Sequence, residues 1–301
     1  MGRAVFTGRI TIGDHYLGKI EPLMLAQART SMALLVLAPI LIVRKRSALS
    51  LRASHLVQFF TLGIVGLAAS NFFYYFAIEK TSVATAIVLQ NVAPVWVLLY
   101  MVARKLQRPT TQRVLGVLLA VIGCALAVGL LSPRPIFPWM GLSGVRFSTI
   151  GVLAAEGAAI SFAFYNVYAQ HLLQSYRRWT VLFYALFGAA AFWIVVNPPW
   201  KIAAQHYTGA QWAFMAIFSV TSMLVPFSFY FAGLQYLDPT SAIVTSCLEP
   251  VFAILLTAVL LGEFVSPMQV LGMVIVLSAT LLIQKPDVAH HEPAITVDPI
   301  E

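Results

Sequence analysis

Apolar runs long enough to cross a hydrocarbon core of about 30 Å recur along this chain at short intervals. They lie near 23–43, 55–78, 82–104, 113–131, 149–173, 179–197, 211–235, 239–261 and 266–284, nine in all. Runs of that length are read as transmembrane helices, whose backbone groups are satisfied within the segment. Composition agrees: 60% of residues are hydrophobic and 10% charged, against about 25% charged in a soluble domain. The chain is therefore an all-α polytopic membrane protein.

The formal charge of +8 does not point to nucleic acid, because the basic residues sit in short clusters between apolar runs. Loops that close alternate helices hold Arg44, Lys45, Arg46, Arg52, Arg104, Lys105, Arg108, Arg113, Arg177, Arg178 and Lys285; the opposite loops hold Lys80, Arg134, Arg146 and Lys201. Eleven against four assigns the first set to the cytoplasm. Trp139 and Trp200 suit the outer interface as aromatic anchors. Cys124 and Cys247 lie in apolar runs and read as small packing residues rather than a disulfide or metal ligands.

The chain repeats itself. Ala86-Ile87-Val88 answers Ala242-Ile243-Val244, Pro94-Val95 answers Pro250-Val251, and Leu115-Gly116 answers Leu271-Gly272, each pair 156 residues apart. The same offset carries 179–197 onto 23–41, but carries 149–173 to a stretch with no apolar run. The reading is two inverted repeats of five transmembrane helices with the first helix apparently missing, and a helix upstream of Met1 is the expected complement. An odd number of spans per repeat turns the halves opposite ways, the plan of many secondary transporters. The expected division is a polar segment 1–22, a first repeat 23–131, an extracytoplasmic linker 132–148, a second repeat 149–284 and a disordered cytoplasmic tail 285–301. No removable leader is expected.

Within 239–263 a carboxyl, Glu249, precedes Pro250 near the middle of a span. A charge at such depth costs roughly 2.5–3.5 kcal/mol, so its default reading is functional. Pro250 withdraws the amide that would bond the Ser246 carbonyl, and Pro94 does the same for Gln90, beside Asn91. Glu249 and Ser246 suggest the wall of a polar pathway, and Gln90 and Asn91 a neutral hydrogen-bonding site. The competing readings are a helix kink and a helix–helix bond worth about 0.6 kcal/mol. Glu156, among small residues, is a candidate proton carrier expected to share a cavity with Glu249; a packing hydrogen bond is its bland alternative. Tyr165 and Asn166 line that cavity or anchor the inner interface. Asn71, Tyr74, Tyr75 and Tyr230 form an aromatic-polar set suited to stacking on a substrate or to the membrane interface. Gly116, Gly123 and Gly272 suggest close-packed peripheral helices.

Arg29 early in the first span, the doubled segment ending in Leu248-Glu249-Pro250, and Gly262-Glu263 followed by Gln269 and Gly272 together resemble the EamA-type permeases of the drug/metabolite transporter superfamily, over residues 22–284. The resemblance implies two five-helix inverted repeats, cytoplasmic termini, and a substrate cavity lined by the first, third and fourth helices of each half. Three departures stand out: no apolar run matches the first helix, Leu106-Gln107 replaces Gly262-Glu263 in the first repeat, and Ala93 stands opposite Glu249.

These readings converge on a transporter of small organic solutes, exporting or exchanging metabolites or drugs by alternating access, with proton coupling and exchange both open. The substrate-binding or coupling candidates are Glu249, Glu156, Gln90, Asn91, Ser246, Tyr75, Tyr230, Tyr165 and Asn166, with helix kinks at Pro94 and Pro250. The alternative is a membrane-embedded enzyme acting on lipid or a lipid-linked substrate, which should cluster ionisable groups at one membrane face. There is no metalloprotease motif, nucleophile elbow or phosphate loop, and all six histidines lie in loops, tails or span ends. No catalytic residue, metal or cofactor is expected. The expected partners are a small-molecule substrate, the lipid bilayer of the inner membrane and a second copy in a homodimer, and not nucleic acid.

Overall fold

A computed structural model describes residues 9–12, 15–19, 22–44, 49–81, 83–128, 148–204, 206–261 and 265–284. The bundle is all helical. It opens with α1 (Pro22–Arg44), then a long pass built from α2 (Leu56–Thr61), a π-helical segment (Leu62–Ala68) and α3 (Ala69–Lys80). A broken pass follows, α4 (Val83–Gln90) and α5 (Ala93–Ala103), and then α6 (Thr111–Ala127). The second half comprises α7 (Thr149–Leu173), α8 (Arg178–Val196), the short α9 (Pro199–Ala203), and a pass made of α10 (Gly209–Ser219), a π segment (Val220–Leu224) and α11 (Val225–Leu234). A second broken pass, α12 (Pro239–Ser246) and α13 (Glu249–Leu261), leads to α14 (Pro267–Gln284).

Eight of these passes have the length and hydropathy to span a bilayer, and α6, also apolar, is shorter at 17 residues. Among the described residues the one departure from an all-helical fold is a short antiparallel hairpin ahead of the bundle, β1 (Arg9–Ile12) and β2 (His15–Lys19), within the polar segment 1–22. The expected linker falls outside the described residues apart from Ser148, and the expected tail and Trp139 lie wholly outside them. Trp200 is exposed, as an interfacial anchor requires.

The repeat read from residue identities recurs in the backbone. Pro22 and Arg178, which open α1 and α8, stand 156 apart. So do Ala68 and Leu224, which close the π segments, and so do Thr110 and Ser266, whose hydroxyls cap α6 and α14. The breaks at Asn91–Val92 and Cys247–Leu248 keep the same spacing. At each break the amide bonds tighten to the third residue back, Val92 N to Leu89 O at 3.1 Å and Leu248 N to Thr245 O at 3.1 Å. The prolines were expected as kinks inside continuous helices. They instead sit in the first turn of a fresh half-helix, where a missing amide leaves no bond unmade.

Packing sorts the bundle into a main core and a peripheral pair. The core joins α1, the first π segment, α7 and α8 around Leu37, Phe59, Leu62, Tyr165 and Leu186. The pair is α6 against α14, where glycines let two backbones meet. A Cβ on Gly123 would lie 2.7 Å from a Val276 methyl, and one on Gly272 would collide with the Ala127 amide. Outward stripes such as Val270, Val274, Leu277 and Leu281 on α14 are exposed. In water such a stripe is a liability, whereas in a bilayer it is the solvated face. Replacing Gly272 by Val should overpack the pair by about 1–3 kcal/mol. Thermal unfolding in detergent should show a lowered midpoint for that variant and an unchanged one for Gly209→Ala, whose added Cβ meets nothing within 4 Å.

Candidate functional site

Polar chemistry collects where the helices depart from regular α geometry. Pro226 has no amide to give the Ser222 carbonyl, and this stretch of helix runs as a π turn. The carbonyl is taken by Arg29 of α1, whose Nη2 donates to Ser222 O at 3.0 Å while Nη1 donates to the Tyr75 hydroxyl at 3.0 Å. The guanidinium carbon lies 5.7 Å from the centre of the Phe218 ring. Ser219 returns a bond from its hydroxyl to the Arg29 carbonyl at 2.7 Å. One buried donor of this guanidinium, Nε, has no partner among the described residues.

Glu249 opens α13 at the second helix break, and its side chain is exposed although its backbone lies within the span Pro239–Leu256. An acidic group is favoured at a helix N-terminus by the peptide dipoles. Arg29 and Tyr74 are the charged and polar neighbours whose fields reach this carboxyl. No direct ion pair joins Arg29 and Glu249; among the described residues the one ion pair within 4.0 Å is Lys80–Glu79. The two opposite charges thus face one locus without closing on each other, beside the edge-on ring pair Tyr74–Tyr75 at 5.5 Å.

On the other side of the same break, Ser246 bonds back to Ala242 O at 3.1 Å and meets Tyr230. Tyr230 donates to Asn166 Oδ1, and Asn166 donates to Phe162 O at 2.8 Å. Ser246, Tyr230 and Asn166 form one network, with Asn166 fully buried. Tyr165 is buried too, its hydroxyl without a partner among the described residues, packed on Gly66 and edge-on to Phe231 at 5.9 Å. It plugs the core rather than lining an open surface.

The remaining candidates separate from this locus. Asn91 spends its amide on Ile87 O of its own helix at 2.8 Å, and Gln90 is half-buried beside the break. Glu156 does not share a cavity with Glu249. Its carboxylate accepts from Trp96 Nε1 at 3.2 Å, on the stripe of α7 that carries exposed Leu153 and Ile160. That is the packing hydrogen bond held as the alternative, and it faces outward.

Three contacts were not anticipated. Arg29 was noted as a basic residue early in its span but not as a site residue, and the one signal for it is Pro226 four residues after Ser222. Cys124 and Cys247 meet across the repeats, the first thiol on Cys247 O at 3.5 Å. Gln107, which stands where the second repeat has Glu263, donates to Asp238 at 2.8 Å and accepts from Thr240 at 2.7 Å, joining the repeats on the face that the loop charges assign to the cytoplasm.

Nine apolar passes and repeat-related helix breaks define a polytopic, all-helical membrane protein. The chain belongs to the EamA-like transporter family, which it matches over residues 4–129 and 149–284. The first match begins ahead of residue 22, where the resemblance was read to start. The chain is 25% identical over 73% of its length to an uncharacterized inner membrane transporter, YicL, of Salmonella typhimurium, covering 70% of that protein. It is 26% identical to an uncharacterized transporter of Archaeoglobus fulgidus over 73% of this chain and 75% of that one. It is also 23% identical to a WAT1-related protein of Arabidopsis thaliana over 88% and 78% of the two chains. A crystal structure at 19% identity superposes with a TM-score of 0.72, covering 89% of this chain and 88% of that one, and shares its fold.

If Arg29 and Glu249 share one electrostatic locus, their removal should not be additive. A double-mutant cycle with Arg29→Gln and Glu249→Gln, read from thermal unfolding in detergent, should give a coupling of about 0.5–3 kcal/mol. Additivity would separate the two groups.

Proposed function

We propose that this protein carries a small organic solute across a bacterial inner membrane by alternating access, with the solute held at the Arg29–Tyr74–Glu249 locus. The observation that carries the reading is the placement of Arg29. It holds Tyr75 of the first repeat and Ser222 of the second, and it stands near, without pairing to, the carboxyl at a helix break. Opposite charges held apart can take a solute's polar groups, and half-helix ends supply further oriented dipoles. A state change that moves one repeat against the other alters this locus directly, which gives a solute the differential affinity that coupling requires. The inner-membrane placement is supported by the name of the Salmonella relative. The division into repeats 23–131 and 149–284 is part of the same reading.

Proton coupling would run through Glu249, the one carboxyl at the locus. The enzyme alternative is less well supported, because the intramembrane ionisable groups Arg29, Glu249 and Glu156 lie deep and spread out rather than clustered at one face.

Proteoliposomes challenged with a metabolite panel, with and without a pH gradient, should reveal gradient-driven movement of at least one solute. Glu249→Gln keeps size and hydrogen bonding but removes the titrating group, so it should abolish the gradient-driven component while leaving the protein inserted. Glu156→Gln, away from the locus, should retain that transport. Normal gradient-driven transport by Glu249→Gln would remove this residue from the mechanism.

A further inference from the structure

Glu156 poses a separate problem. It stands seven residues from the start of α7, about 10 Å along the helix axis, on a stripe whose neighbours one turn away, Leu153 and Ile160, are 66% and 48% exposed. Its only hydrogen bond among the described residues comes from Trp96 Nε1 at 3.2 Å, itself on the exposed face of α5. A carboxylate offers about four acceptor sites, so most of this group's capacity is unmet in a setting where an uncompensated charge is costly.

Beside this carboxyl, at its partner Trp96, a groove of about 200 Å³ begins and runs between α5 and α7 away from the Thr149 end, with Trp96, Tyr100, Ile160, Phe164, Val167 and Tyr168 among its lining residues. These six offer one indole N–H and two hydroxyls but no charge, and the indole is already given to Glu156. The groove therefore has a polarity: at one end Trp96, which reaches the adjoining Glu156 carboxylate, then successive apolar and aromatic turns. A single-chain molecule in the leaflet nearest Thr149 has the matching polarity, its head towards that surface and its chain towards the bilayer centre.

We propose that this groove is a lateral binding site, open to the bilayer, for an amphiphile with an ammonium head and one apolar chain. The head sits against the Glu156 carboxylate and the Trp96 ring, where charge pairing and cation–π attraction act together. The chain lies along Ile160, Phe164 and Val167. An anionic or neutral head of equal chain length lacks the charge complement, and a solute at the Arg29–Glu249 locus does not use this surface.

The full chain in lipid nanodiscs can be titrated with a bromine-labelled dodecylammonium, whose bromine quenches tryptophan, against dodecanol carrying the same label. The wild-type protein should show a saturable quench with the ammonium at a concentration at least tenfold below that needed with the alcohol. Trp96→Phe should lose the saturable component. Glu156→Gln, which keeps an acceptor for the indole, should bring the ammonium curve onto that of the alcohol. Ile160→Phe retains the carboxyl and fills the groove, and should lose the preference as well, which decides the matter should the Gln variant fail to assemble. Equal quenching by ammonium and alcohol in the wild type would overturn the proposal, as would a preference that survives Glu156→Gln. Equal quenching with chain-to-chain crosslinking through Tyr100→Cys would assign the groove to contact between copies and would overturn it too.

Discussion

The structure depends on the cost of an unpaired backbone group in lipid. Proline removes a donor, and the carbonyl it strands must find another partner or sit where a helix is already ending. Both solutions occur here. At Pro94 and Pro250 the helix ends first and restarts with the proline in its opening turn. At Pro226 the helix continues through a π turn, and the stranded Ser222 carbonyl is answered from another helix by Arg29. A guanidinium is thereby brought deep into an apolar bundle, and it is positioned by the backbone of the second repeat rather than by a carboxylate.

The duplication shows why only one such locus exists. The 156-residue offset places Ala185 opposite Arg29, Gly63 opposite Ser219, Gly66 opposite Ser222 and Phe231 opposite Tyr75. The contact itself is kept. Ser219 bonds the Arg29 carbonyl at 2.7 Å, and a Cβ on Gly63 would lie 2.6 Å from the Ala185 carbonyl. In one copy the helix meets the π segment through polar groups. In the other it meets it through glycine and alanine, and the mirrored space is filled by the Tyr165 ring against Gly66 and Phe231. Ala93 opposite Glu249 completes the contrast, since it packs with Ile243 and Ala159 as a core residue. One half of the pseudo-symmetric frame was made wet and the other dry on the same backbone.

Much of this frame is legible in residue order. Span length, the prolines within apolar runs and the constant offset lead to the nine passes and to the location of both irregular points, as kinks rather than as breaks, because each reports a local backbone requirement. Facing is less legible. α7 carries apolar residues on all sides, so no periodicity separates the face bearing Tyr165 from the stripe bearing Glu156, and the partner that settles it, Trp96, is sixty residues away in the chain. Arg29 illustrates the same limit: a basic residue near the end of a span is equally suited to an interface, and only the stranded carbonyl near Pro226, in the opposite repeat, draws it inward. The role of Gln107 is equally hidden, because its partners Asp238 and Thr240 follow it by more than a hundred residues.

Asp238 links the two levels of the structure. Its carboxylate caps α12, accepting from the Thr240 and Ser241 amides at 3.1 Å each and from the Ser241 hydroxyl at 2.6 Å, and it also accepts from Gln107. The cap orients the half-helix whose far end is the Cys247–Leu248 break and Glu249. α12 is only eight residues long, about 12 Å, and a rigid segment of that length carries a displacement at one end to the other. Gln107 donates to the same Oδ1 that accepts both capping amides, while the Ser241 hydroxyl holds Oδ2, so three donors share one oxygen and release of Gln107 would leave the cap of α12 made. The neutral amide–carboxylate bond between the repeats is the weaker partner, and the cap, with three donors on one carboxylate, is the stronger. The inter-repeat bond at Asp238 and the break beside Glu249 therefore stand at opposite ends of one short half-helix.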